Sequence, residues 1–239
     1  MGKNLHKAYY KDYFTEVDLH QVESQRNSNT IKRQNKDFTK PGLFVKEQNT
    51  DKIFNASFSL EVLYPGLVTG VGINHETKIE GEFKLGMHFN WTTGQPVIYG
   101  SSVKGVLRSY FKDFYTENPN NVTIGQIIDD IFEGKGKSIY NRDIFFDSVI
   151  VKPDKSGRIL CSDSITPHVK GPLKNPIPIT FMKIAPGCTL EFRFKLVDTK
   201  IGDFIMTANQ KLNIFKEILT TVGIGAKTNV GYGQMKAIN

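Results

Sequence analysis

Cysteine is scarce in this chain and long apolar runs are missing. The two cysteines, Cys161 and Cys188, stand at no metal-ligand spacing from each other or from the five histidines, and one pair in 239 residues is no disulfide framework. A reducing, cytoplasmic compartment is expected. No window approaches the run of about eighteen apolar residues that a membrane-spanning helix needs, and the polar start lacks the apolar centre of a signal peptide, so a soluble protein with no membrane partner is expected. No motif calls for a metal or another cofactor. A Walker A loop is also missing: the glycine-rich stretch near the C-terminus has Thr221 and Ala226 where that motif needs glycine, and it runs from helix to strand rather than from strand to helix.

What is present is positive charge and glycine. The formal net charge is +7, which makes a polyanion a plausible partner but only in combination with a defined site. Gly223, Gly225, Gly231 and Gly233 surround Lys227 and Thr228. Such a run lets backbone N–H groups converge on an anion, with Lys227 adding a full charge. The alternative for the same residues is an elaborate glycine C-cap with no ligand.

Taken in order, Tyr9, Tyr10, Tyr13, Phe14 and Val17 predict a short amphipathic helix over 6–20, and the polar stretch Glu23 to Lys40 reads as a mobile connector. Alternation over Ile53 to Tyr64 predicts the first core strand, followed by a glycine loop that carries His75. Phe83 to Trp91 is expected to add an accessory strand or hairpin. Val103, Val106, Leu107, Tyr110, Phe111 and Phe114 predict a helix with Ser101 or Ser102 as N-cap and with Lys104 and Arg108 one turn apart on its exposed face. An anion at that N-terminus and a merely solvated basic face are both open. Ile124 to Phe132 predicts a packing helix, and Ile144 to Val151 a buried strand in which Asp147 has no evident partner. Residues 159–187 hold Pro167, Pro172, Pro176, Pro178 and Pro186 and are expected to project as an arm bearing His168 and the cations Lys170, Lys174 and Lys183. Leu190 to Leu196 alternates as a strand, Asn209 to Val222 is helical, and a last short strand closes the chain.

Reduced to its core, this order is βαββαβ: strand 53–63, helix 101–115, strands 143–151 and 189–197, helix 209–222, strand 232–238. It predicts an α+β fold of the ferredoxin-like, RRM-like kind, with one domain over 53–239, an N-terminal helix and connector over 1–52, and the proline-rich insertion. The aromatic signature of RNA-recognition motifs is absent, and Phe192 and Phe194 read as the core face of a strand.

The segment Tyr99-Gly100-Ser101-Ser102-Val103-Lys104-Gly105-Val106-Leu107-Arg108 resembles the G-S-S-hydrophobic-K-G-x-hydrophobic-R signature of the RAMP superfamily, the repeat-associated RNA-binding proteins of CRISPR systems, with Tyr99 where that family usually has proline. Gly223 to Gly233 resembles its C-terminal glycine-rich loop. The run Asp163 to His168, then Asn175-Pro176-Ile177-Pro178-Ile179, with Tyr64-Pro65-Gly66-Leu67, is similar to the branch that forms the sixth subunit of the type III-B (Cmr) effector complex. The resemblance spans roughly 53–239. It implies a non-catalytic backbone subunit near the 3′ end of a guide RNA, with guide RNA, target RNA and other RAMP subunits as partners.

The RNA-contacting residues implied are Ser101, Ser102, Lys104 and Arg108, the loop from Gly223 to Gly233 with Lys227 and Thr228, the arm residues His168, Lys170 and Lys174, and His75. Lys227, Lys104 and Arg108 are expected to converge on one RNA backbone. The rival is a metal-independent RAMP-type endonuclease with His75 or His168 as general base or acid, though neither has a visible partner. Cleavage by an aspartate on the loop after the first strand would resemble the target-cleaving relatives, but Leu67 to Lys78 holds no aspartate and only Glu76 as an acid. A small phosphometabolite binder is a third reading, disfavoured by the arm and the polar N-terminal segment.

Overall fold

The computed structural model describes residues 4–46, 53–117, 122–166 and 178–238. Its elements in chain order are helices α1 (Leu5–Tyr10) and α2 (Gln25–Thr39), strands β1 (Ala56–Val62) and β2 (Val97–Ile98), helices α3 (Gly100–Phe114) and α4 (Ile124–Ile128), strands β3 (Ile144–Phe145), β4 (Ser148–Lys152), β5 (Leu160–Ile165), β6 (Ile179–Ile184), β7 (Thr189–Lys195), β8 (Thr199–Ile201) and β9 (Phe204–Met206), helix α5 (Ala208–Val222) and strand β10 (Met235–Ala237). The main sheet runs β10-β1-β7-β4-β2 and is antiparallel throughout, with β3 pairing the C-terminal end of β7.

Strand β7 is central, and its alternation decides the layers. Leu190, Phe192 and Phe194 are buried toward the helices, and Phe215 of α5 lies 5.5 Å from Phe194 between ring centres. Phe111 of α3, Phe132 of the π-helical turn after α4, and Phe145 of β3 complete this aromatic cluster around Phe215. Each well-oriented ring pair adds about 0.5–1.5 kcal/mol beyond its buried area, so the cluster fixes how α3 and α5 sit on the sheet.

The strand expected over 144–151 is broken. Phe145 faces Phe194 while Val149 faces Glu191, so four steps on one strand oppose three on the other, a one-residue bulge. The bulge turns Asp147 away from the ladder. Phe83 to Trp91 forms no regular strand, but the expected hairpin is present in irregular form: Phe89 bridges Pro96 across a turn in which Gly94 N–H bonds the Asn90 carbonyl at 2.7 Å, and Ile73 bridges Leu85.

The expected mobile connector over 23–40 is instead helix α2. Its apolar content is small, Ile31 and Phe38, but these are buried two turns apart, and its polar side chains make tertiary bonds. Ser24 caps it, Asn27 donates to the carbonyls of Asp18 and Gln21 at 2.8 and 2.9 Å, and Asn35 donates to the Gly81 carbonyl at 2.7 Å. Helix α1 is shorter than the expected 6–20, yet Tyr9 and Tyr13 are buried and bond to the Phe83 backbone. Both helices share one core with the sheet.

Of the expected proline-rich arm over 159–187, only the two ends fall within the described residues, and they are regular. Its two ends form the regular ribbon β5–β6, paired from Leu160 with Ile184 to Ile165 with Ile179, and Leu160, Phe181, Met182 and Ile184 are buried. Pro167, Pro172 and Pro176, which suggested an irregular arm, lie outside the described residues, as do His168, Lys170 and Lys174. Cys161 and Cys188 are free.

Candidate nucleic-acid interface

The glycine loop closes on itself before it meets anything else. Helix α5 ends where Gly223 N–H bonds the Leu219 carbonyl, and Ile224 N–H then reaches the Gly233 carbonyl at 3.0 Å. A Cβ on Gly233 would stand 1.9 Å from Ile224 O, and one on Gly225 2.3 Å from Val68 O, with φ at +74° and +99°. These glycines therefore exist so that backbone can pack on backbone; Ala226 N–H bonds Val68 O at 2.8 Å and Gly233 N–H bonds Gly66 O at 2.8 Å. The loop is a rigid platform fused to residues 65–68.

What the platform presents is Lys227. Its backbone sits at φ 63°, ψ 30°, a left-handed conformation costly for a residue with a side chain, and its ammonium has no ion pair among the described residues. Thr228 follows in a short 3₁₀ turn, ended by Gly231.

A strut holds the platform from below. Buried Tyr232 donates to Asp163 at 2.8 Å, Asp163 pairs with Lys183, and the Lys183 ammonium lies 5.3 Å from the Tyr232 ring centre. Burial alone would raise the Asp163 pKa, but the bonds from Lys183 and Tyr232 outweigh it and hold the carboxyl below its ordinary range. The loop is thereby tied to the β5–β6 ribbon.

The start of α3 is a second and separate place. Its N-cap is Tyr99, not Ser101 or Ser102, and the capping bond comes from outside: the Asp147 carboxylate accepts Gly100 N–H at 2.8 Å. Glycine is required because a Cβ at 100 would stand 2.2 Å from the Phe145 carbonyl. Gly100, Ser101 and Lys104 line a cleft of about 240 Å³ with Glu133, Arg142 and Asp143. Arg108 pairs with Glu133 at 2.7 Å, so half of the expected basic pair is neutralised locally. Exposed Arg142 is a cation that sequence periodicity did not reveal.

Strand register shows that the two places do not meet. The α3 start touches Phe145, opposite Phe194, whereas the glycine loop packs on residues that follow β1, whose Glu61 faces Thr189. Five residues of β7 separate these levels, roughly 16 Å at about 3.3 Å per residue. Lys227 therefore does not converge with Lys104 and Arg108.

His75 is not a surface ligand either. It is buried among Tyr9, Tyr13 and Phe14, with ring centres 4.7–5.2 Å away, and its Nδ1 lies 2.9 Å from the Phe83 carbonyl. Since a carbonyl only accepts, Nδ1 carries the hydrogen. Burial pushes the imidazole pKa down.

Residues 59–236 match the RAMP superfamily. The chain belongs to that superfamily. No curated protein matches it. Among solved structures it is similar to a chain of the type III-B Cmr-beta structure bound to cognate target RNA, at 22% identity over 77% of this chain and 58% of that one, with a TM-score of 0.56. This chain thus aligns with less than two thirds of that relative's length. It is also similar to Cmr6 from Pyrococcus furiosus, at 18% identity over 77% of this chain and 97% of that one, with a TM-score of 0.43. No helix among the described residues is long and apolar enough to cross a membrane.

Proposed function

We propose that the chain is a non-catalytic RNA-binding structural subunit of a type III-B CRISPR ribonucleoprotein, which holds the 3′ region of the guide RNA and helps present it to target RNA in antiviral defence. The observation that carries this reading is Lys227: the chain holds a lysine in a strained left-handed conformation within a braced glycine loop, with no internal partner for its charge among the described residues. Backbone strain of that kind clusters at sites where a side chain meets a ligand, and Lys227 shares its positive φ with Lys78, so it is the glycine loop around Lys227 that singles it out. We read the sheet order β10-β1-β7-β4, with α3 and α5 packed on each other, as ferredoxin-like. The RAMP relationship and the presence of target RNA with the Cmr-beta relative make RNA the ligand of choice for the loop. The cleft at the start of α3, with Lys104 and Arg142, is a second contact on the same strand of RNA or on a neighbouring RAMP subunit. His75, as an enclosed and hydrogen-bonded ring, supports the non-catalytic reading.

The test is co-purification of the chain with guide RNA and RAMP subunits, with a salt titration of single-stranded RNA binding. Phosphate contacts predict affinity that falls linearly on a log–log plot and little preference among sequences. Lys227→Gly removes the charge and relieves the backbone, so it should weaken RNA binding while the melting temperature holds or rises. Unchanged RNA affinity in this variant, with the fold intact, would sink the assignment.

A further inference from the structure

Tyr64 is 86% exposed, although it follows directly on β1 and precedes the Pro65-Gly66 turn fused to the glycine loop. The backbone on either side of it is tightly fixed. Leu63 N–H bonds the Gln234 carbonyl at 2.9 Å, Gly233 N–H bonds Gly66 O at 2.8 Å, and the position of a Cβ on Gly231 is 3.6 Å from Pro65 Cδ. A stiff base therefore carries a ring that touches no other ring, cation or hydrogen-bond partner among the described residues. Val230, 64% exposed, lies one residue from the same Gly231 contact, and the Lys227 carbonyl accepts from Val230 and Tyr232 in the same turn.

We infer that Tyr64 is a base-stacking platform: one base of a single-stranded RNA lies on its ring, beside Val230, while the adjoining backbone phosphate is held at Lys227. The inference rests on the RNA-binding reading of the glycine loop and adds to it the residue that contacts a base. The charge pattern selects this occupant. A purely apolar partner surface would leave the Lys227 ammonium, which has no acid partner among the described residues, desolvated at the edge of the contact, whereas a nucleotide satisfies ring and cation together. Holding the ring on a braced turn removes much of the ordering cost of binding. Because every base has a π-face, the contact reads no sequence.

The test uses the full chain with single-stranded RNA carrying 5-iodouridine, irradiated at low salt, together with affinities for Tyr64→Ala, Tyr64→Phe and Lys227→Glu. The expected crosslink maps to the peptide that contains Tyr64. Tyr64→Ala should lose that crosslink and bind roughly five- to a hundredfold more weakly without a change in salt slope, whereas Lys227→Glu should weaken binding and lower the slope. Tyr64→Phe, which keeps the ring, should rescue both crosslink and affinity. If Lys227→Glu weakens binding while Tyr64→Ala binds and crosslinks like the parent, the loop reading stands and stacking is wrong; Tyr64 then faces a protein or nothing. If Tyr64→Phe fails as badly as Tyr64→Ala, the hydroxyl rather than the ring acts, and stacking is again overturned. If Lys227→Glu has no effect, the RNA reading of the loop fails and the stacking inference falls with it.

Discussion

Asp147 caps a helix that begins 47 residues earlier: its carboxylate accepts the N–H of Gly100 at 2.8 Å and so takes the place of the missing side-chain N-cap of α3. The β-bulge between β3 and β4 aims it there. A negative charge already sits at the positive end of the α3 dipole, so this N-terminus is a weaker anion site than its serines suggested. Asp147→Ala should destabilise the chain by about 0.5–2 kcal/mol, or about 2–4 °C in melting temperature per kcal/mol for a chain of this size. Asp147→Asn, which keeps an acceptor, should recover most of the loss in a thermal melt. Equal losses for the two variants would show that the capping bond is not the stabilising feature.

A second long-range pair lies beneath the cleft. Lys211 of α5 donates to Asp143 at 2.6 Å and to the Val197 carbonyl at 2.8 Å, and both side chains of the pair are inaccessible, at 0% and 1%. Desolvation pushes the lysine pKa down and the aspartate pKa up, against the attraction between them. Removing one partner strands the other, so Lys211→Met should cost about 3–5 kcal/mol. Replacing both, Lys211→Met with Asp143→Leu, should restore much of that in urea denaturation. If the double variant is worse than the single, packing rather than the stranded charge sets the cost.

The periodic elements could be read from the chain alone. β1, β7, α3 and α5 carry their buried residues at strand or helix spacing, and Phe58, Leu60, Phe192, Phe194, Leu107, Phe111, Phe215 and Ile218 are all buried as that spacing implies. Helix α2 could not be, because hydrogen bonds from Asn27 to the preceding turn and from Ser28 and Asn35 to the distant carbonyls of Glu80 and Gly81 replace the apolar stripe that periodicity detects. The β5–β6 ribbon was hidden by prolines that lie between or beyond its strands. For the site, the glycine loop and its lysine were visible as residues. Their separation from Lys104 was not, since it follows from strand register rather than from spacing along the chain.

Gly105 of the α3 motif should respond in the opposite way to Gly225 and Gly233 of the C-terminal loop. Gly225→Ala and Gly233→Ala place a Cβ 2.3 and 1.9 Å from backbone carbonyls at positive φ, where nothing flexible can yield. Each should cost roughly 2–5 kcal/mol. Gly105, inside α3, has nothing within 4 Å of its missing Cβ and no positive φ. Gly105→Ala should stabilise the free chain by about 0.5–1 kcal/mol. Chemical denaturation of the three variants checks this. A destabilising Gly105→Ala would mean that α3 is strained there in a way its backbone does not show.

The buried His75 sets a pH dependence whose sign is fixed by its surroundings. Burial among Tyr9, Tyr13 and Phe14 lowers its pKa in the folded chain, more than the Phe83 carbonyl and the nearby Glu82 charge raise it. In the unfolded chain the same ring titrates near its ordinary value of about 6.5. As the pH falls through that value the unfolded state takes up a proton first, so stability is complete at neutral pH and declines below about 6.5. His88, lowered chiefly by burial, acts in the same direction. His75→Phe keeps an aromatic ring in the cage, and Tyr9 still donates to the Phe83 carbonyl, at 3.0 Å. The urea midpoint of His75→Phe should therefore fall less than that of the parent between pH 7.5 and 5.5, with the remaining slope due in part to His88. Parallel pH profiles for the two proteins would show that His75 is not held neutral by the fold, and would reopen it as a group that exchanges protons with solvent.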